Sequence, residues 1–103
     1  MKTFNITEPV KVKLTEEGVR ILENRHNNLL NQYSDKPEVK KILGEFKTPE
    51  VDENGYSSFQ LWELMNIFGS YMYNGNPKVP FEMTIAISDE YLVEQTNEKR
   101  KIL

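Results

Sequence analysis

His26 is the one side chain in this sequence whose ordinary pKa lies near neutrality, so proton transfer or metal ligation would begin there. It stands four residues after Leu22 and three before Leu29, on the border of an apolar helical stripe. No second ligand or base stands at the spacing that zinc binding or general-base catalysis requires, and a structural or surface role is expected. The acids include no D-x-D-x-D-G calcium loop and no H-E-x-x-H zinc helix. Asp52-x-Asn54-Gly55 has residue types of a calcium loop without its remainder and reads as a turn. No G-x-G-x-x-G or G-x-x-x-x-G-K-S/T loop is present to cradle phosphate. Ser57, Ser58, Ser70 and Ser88 all flank expected helix ends, where a hydroxyl serves as a cap, and none has a histidine nearby in sequence. No catalytic, cofactor-binding or metal-ligating residue is assigned, and a non-enzymatic protein is expected.

Composition narrows the classes further. The 103 residues suit one domain, expected to span residues 1–95 with a basic tail at 96–103. The lack of cysteine excludes disulfides and thiolate metal sites and suits a reducing cytoplasm. No stretch approaches the roughly 20 apolar residues of a membrane span, and the start, MKTFNITEPVKVKL, is too polar and too alternating for a secretory signal. Asn5-Ile6-Thr7 matches a glycosylation sequon by chance on that reading. The net charge of −3 argues against general nucleic-acid binding, which depends on lysine and arginine neutralising phosphates. From Val51 to Glu98 eight acids face Lys78 as the only base, while Lys99, Arg100 and Lys101 cluster near the end. The same half holds Tyr56, Phe59, Trp62, Phe68, Tyr71, Tyr73 and Phe81, seven of the eleven aromatics, so it is expected to decide the fold.

The elements that must position these residues follow from periodicity. Val10, Val12 and Leu14 alternate with Lys11 and Lys13, a strand pattern that Phe4 and Ile6 extend or pair with. Thr15 is placed to cap a helix over 16–33, with Glu16 and Glu17 on its positive end and Val19, Leu22, Leu29, Leu30 and Tyr33 on its apolar face. Pro37 opens a second helix over 37–46, with the stripe Val39, Ile42, Leu43 and Phe46. Asp52-Glu53-Asn54-Gly55 predicts a reversing turn. Tyr56 to Ser58 reads as a brief strand, before Ser57 or Ser58 caps a third helix over 59–68 that Gly69 ends; Ser57 and Gln60 fit a capping box there. Phe81, Met83, Ile85 and Ile87 alternate with Glu82, Thr84, Ala86 and Ser88, predicting a second strand over 81–87 beside Val10–Leu14. Ser88 and Asp89 are expected to cap a last helical piece at Tyr91 to Val93. The fold class is α+β: a small antiparallel sheet packed against about three helices.

Two resemblances add expectations. Leu14-Thr15-Glu16-Glu17-Gly18 resembles the Leu-Thr-x-x-Gly start of a helix in winged-helix regulators of the multiple-antibiotic-resistance type. That implies DNA binding through Arg20, Arg25 and Lys99-Arg100-Lys101, although the third helix, FQLWELMNIF, carries Glu63 and no base. The strings VKVKLTEEG (10–18), DENGY (52–56), FQLWELMNIFG (59–69) and PFE (80–82) resemble a family of small phage and prophage proteins of Gram-positive hosts, over about residues 10–87. This second resemblance carries over no catalytic residues and implies a phage accessory protein in the bacterial cytoplasm.

The function expected is stoichiometric binding to a protein partner, foremost inhibition of a host defence nuclease such as a CRISPR effector. Glu63, Glu82, Asp89 and Glu90 would steer the encounter, and Trp62, Tyr71 and Tyr73 would anchor it. No cofactor and no membrane contact are expected, and self-association through the aromatic half is a further option. The alternatives are the small DNA-binding regulator of phage genes and a structural or assembly component of the virion.

Overall fold

A computed structural model describes residues 1–94. The expected tail, with Lys99, Arg100 and Lys101, lies outside the described residues. The chain forms β1 (Lys2–Phe4), β2 (Pro9–Val12), α1 (Glu16–Gln32), α2 (Pro37–Leu43), β3 (Ser57–Gln60), α3 (Leu61–Phe68) and β4 (Leu92–Glu94). Single 3-10 turns occupy Gly69–Tyr71 and Asp89–Tyr91. This is an α+β fold with three helices and two antiparallel strand pairs, β1 with β4 and β2 with β3.

Alternation in β2 works as the sequence indicates. Val10 and Val12 are buried while Lys11 points to solvent. In register with β3, Val10 faces Phe59 and Val12 faces Ser57. The core comprises Val10, Val12, Ile21, Leu64, Phe68 and Phe81, with Phe4, Leu14, Leu22, Phe59, Leu61, Ile67 and Met72 packed around it. Phe68 is fully buried and meets Phe59 and Phe81 edge-on, with ring centroids 6.1 and 5.9 Å away. Such geometry aligns the positive ring edge with the negative ring face of a neighbour and adds to simple area burial.

Residues 81–87 depart from the expected strand. Only two bridges tie this segment to β2 and its extension, Leu14 to Phe81 and Lys11 to Ala86. Three steps along one arm therefore match five along the other, which leaves surplus residues looped out between the bridges. The Thr84 N–H closes the loop on the Glu82 carbonyl at 2.7 Å. Phe81 stays in the core, but Met83 is 73% exposed and Ile85 and Ile87 also reach solvent. A bulge of this kind bends the chain and redirects side chains that strict alternation would bury.

Other boundaries shift for local reasons. Ser57 and Gln60 belong to β3 and make no capping box. The Ser57 hydroxyl donates to the Glu50 carbonyl, and α3 starts at Leu61 with no side-chain cap. Pairing of 57–60 with β2 outweighs the local capping preference. Gly69 is right-handed, so the chain runs on from α3 into a 3-10 turn. α2 stops at Leu43 because Gly44 takes φ +64°, a conformation glycine adopts without penalty. In α1 the buried side chain is Ile21, while Leu29, expected on the inner face, is exposed. Only the first turns of the helix reach the core. After the 3-10 turn at Asp89, residues 92–94 form a strand with β1, so Phe4 pairs there and not with β2.

Docking of α1 is made by the Leu14–Gly18 string. Gly18 N–H donates to Thr15 Oγ1 at 3.2 Å, and the same hydroxyl donates to the Val79 carbonyl. Thr15 N–H donates to the Pro80 carbonyl at 3.0 Å. Gly18 lies so close to Pro80 that a Cβ there would stand 2.0 Å from the Pro80 oxygen. The motif is thus a capped helix start pressed against backbone. Elsewhere, Asp52 organises the 52–56 turn: its carboxylate accepts from the Asn54 and Tyr56 N–H groups at 2.9 Å and from Lys11 Nζ at 3.2 Å. The Asn5-Ile6-Thr7 string is a turn of the same type, in which Asn5 Oδ1 accepts from the backbone and the hydroxyl of Thr7.

Two outcomes are expected. Gly18→Ala should destabilise the fold by about 2–3 kcal/mol, because backbone must move to admit the methyl group. Gly69→Ala, where an added Cβ meets nothing in right-handed backbone, should stabilise by about 0.4–1 kcal/mol. Urea midpoints measure both, and equal midpoints for the two variants would refute the close approach. Folding lowers the Asp52 pKa, first through the Tyr56 N–H and then through Lys11 and Asn54. Its contribution is therefore present above the unfolded-state pKa and is lost as pH falls through the folded value. Asp52→Asn should flatten the acid limb of stability against pH; an acid limb identical to that of the unsubstituted protein contradicts this.

Candidate functional site

The third helix buries Leu64 and Phe68 and turns Trp62 and Met65 outward. Beside it, the 82–85 bulge holds Met83 and Ile85 away from the core. Between these two elements lies an apolar groove of about 260 Å³, lined by Leu61, Leu64, Met65, Phe68, Gly69, Met72, Phe81, Met83 and Ile85. Its floor is the core itself, and no polar side chain lines it. Met65 is 51% and Met83 73% exposed, so its rim is thioether. Methionine is unbranched and polarisable, and it conforms to apolar partners of varied shape.

An electronegative corner adjoins the same helix. The Leu61 N–H donates to the Glu8 carbonyl and the Trp62 N–H to the Ile6 carbonyl, at 3.2 and 3.0 Å. Residues 6–8 are thereby fixed to the start of α3. Glu8 and Glu90 share a cleft with Tyr91, Phe4 and Val93. The charge on Glu90, followed by desolvation and the charge on Glu8, raises the Tyr91 pKa above its usual value. The half-exposed Trp62 has Ile6, 50% exposed, beside it, and its indole N–H donates to Gln60 at 2.9 Å.

The residues expected to act together are distributed unevenly. Trp62 and Glu63 occupy the first turn of α3, Glu63 half-buried. Asp89 and Glu90 are exposed on their 3-10 turn, and Glu90 shares a cleft with Glu8. Glu82 is exposed at the bulge, its N–H bound to the Lys13 carbonyl. Tyr71 and Tyr73 are exposed, but Tyr71 lies toward Arg20 of α1 and so apart from the acidic corner. Met65, Met83, Ile85 and Glu8 were not anticipated. Met65 carries an apolar signal that reads as core, and Met83 and Ile85 emerge only because of the bulge.

Neither remaining arginine forms a basic surface with the other. Arg20 is paired with Glu17, which raises the arginine's pKa and lowers the carboxylate's through their mutual hydrogen bond. Arg25 projects elsewhere on α1. The His26 ring N–H donates to the Gly44 carbonyl at 2.9 Å, and the ring tilts against Phe46, tethering the end of α2. Among the described residues no three His, Asp or Glu side chains gather as a metal ion would require, and no helix is long and apolar enough to cross a membrane.

The groove's floor and rim should respond differently to truncation. Phe68→Ala is expected to cost about 3–5 kcal/mol. Met83→Ser should change stability by no more than about 0.5 kcal/mol. Thermal and urea unfolding measure both; a Met83→Ser loss approaching that of Phe68→Ala means that the groove is closed in solution.

Comparison of the chain with protein-family models, with curated proteins and with solved structures gives no match in any of the three.

Proposed function

We propose that this chain is a non-catalytic phage accessory protein that acts by stoichiometric binding to a host protein, foremost by competing with nucleic acid for the basic channel of a defence nuclease. The observation that carries this reading is the apolar, methionine-rimmed groove at α3, with the Glu8–Glu90 corner fixed against the same helix. Apolar side chains turned to solvent beside an apolar groove support an interaction surface there. Acidic groups beside it would steer a basic partner and raise the rate of encounter. The resemblance of residues 10–87 to phage and prophage proteins supports the cellular setting. Tyr71 and Tyr73 line neither the groove nor the Glu8–Glu90 cleft, and the anchor set becomes Trp62, at the start of α3, with Met65, Met83 and Ile85.

Adding the protein in excess to purified CRISPR effector nucleases should reduce target-DNA binding and cleavage at one-to-one stoichiometry. Met65→Glu with Met83→Glu should abolish the inhibition, whereas Glu8→Lys with Glu90→Lys should slow association about tenfold, and less so in high salt. Unchanged cleavage across the effectors tested sinks the nuclease reading.

A further inference from the structure

The C-terminal half of α1 runs past the segment that links α2 to β3. Between them lies an open cleft of about 580 Å³, lined by Leu22, Arg25, His26, Asn28, Leu29, Gln32, Phe46, Lys47, Pro49 and Phe59. Phe46, Phe59, Leu22 and Pro49 give it a half-buried apolar floor. Arg25 and Lys47 are exposed on it, and Asn28 and Gln32 add neutral amides. No carboxylate lines it, although the chain is acidic overall and Glu45 and Glu50 lie within the linking segment, on either side of the lining residues Phe46, Lys47 and Pro49. Among the described residues neither Arg25 nor Lys47 has an ion-pair partner, in contrast to Arg20 and Lys11.

The cleft is also held in shape. The His26–Gly44 hydrogen bond and the His26–Phe46 ring contact fix the far wall to α1. Concave clefts of this volume that combine apolar with polar side chains are typical of ligand sites, and here five of the ten lining residues are apolar. Charge complementarity selects the occupant, because two cations over an aromatic and aliphatic floor match a segment with acidic and large apolar side chains.

We propose that this cleft is a second docking site, for an acidic peptide segment that presents leucine or phenylalanine between glutamates or aspartates. It is independent of the binding proposed at α3. The two sites have opposite electrostatic character, so one molecule would join a basic partner at α3 to an acidic segment at α1.

The test uses the full chain and three fluorescein-labelled probes: a short peptide of leucine and phenylalanine interspersed with glutamate, its counterpart with lysine for every glutamate, and oligothymidylate. The acidic peptide should bind saturably, with Kd on the order of tens of micromolar. Arg25→Glu with Lys47→Glu should weaken it about tenfold, and Met83→Glu should leave it unchanged. Both basic residues are exposed, and an unaltered melting temperature checks that the double variant is folded. No saturable binding, equal binding of the lysine peptide, indifference to the double reversal, or preference for oligothymidylate each overturns the proposal. Failure here leaves nuclease inhibition at α3 untouched, and the Met83→Glu variant separates the two.

Discussion

Burial of one ring, Phe68, organises the rest of the molecule. It is the last residue of α3, and its edge contacts reach Phe59 in β3 and Phe81 at the start of the bulged arm. Val10 and Val12 close the same core from β2, and Ile21 from α1. Chain segments distant in sequence thus meet at a single side chain. Among the described residues the buried hydrophobic side chains are Val10, Val12, Ile21, Leu64, Phe68 and Phe81, so each contact carries a large share of a small favourable total. The peripheral parts, α2 and the far turns of α1, gain little from this core, and Ile42 is left 84% exposed.

A second constraint is backbone proximity. The start of α1 lies against the 79–81 segment with no room for a side chain at Gly18, and Thr15 spends both its N–H and its hydroxyl on that segment. Once residues 79–81 are pinned there and Ala86 is bridged to Lys11, the intervening chain is too long for a flat ladder. The surplus bulges outward with Met83 at its apex. The candidate interface is therefore a geometric consequence of how the arm is tethered at its two ends, and the groove floor is the outer side of the core it borders.

Charge follows the same division of the surface. Glu8 and Glu90 share one cleft, while Arg25 and Lys47 share the α1 cleft with no acid in its lining. A net charge of −3 conceals both features.

The sequence by itself determined the elements whose signal is local. Val10-Lys11-Val12 alternates and forms a one-sided strand; Thr15 caps α1; Pro37 opens α2; Asp52 to Gly55 reverses the chain; and Leu64 and Phe68 take the inner face of α3. Each depends on side-chain period or on hydrogen bonds within a few residues, so the α+β class was legible. Only the tertiary structure decided that the brief strand after the turn runs through Gln60 and pairs with β2, that Leu92–Glu94 pairs with β1, and that Met83 and Ile85 leave an apparently regular strand to line a groove. Those outcomes are set by tethers between residues far apart in the chain, at Pro80, Ala86 and Glu8. A local pattern records what a side chain prefers, but not which distant backbone will be there to receive it.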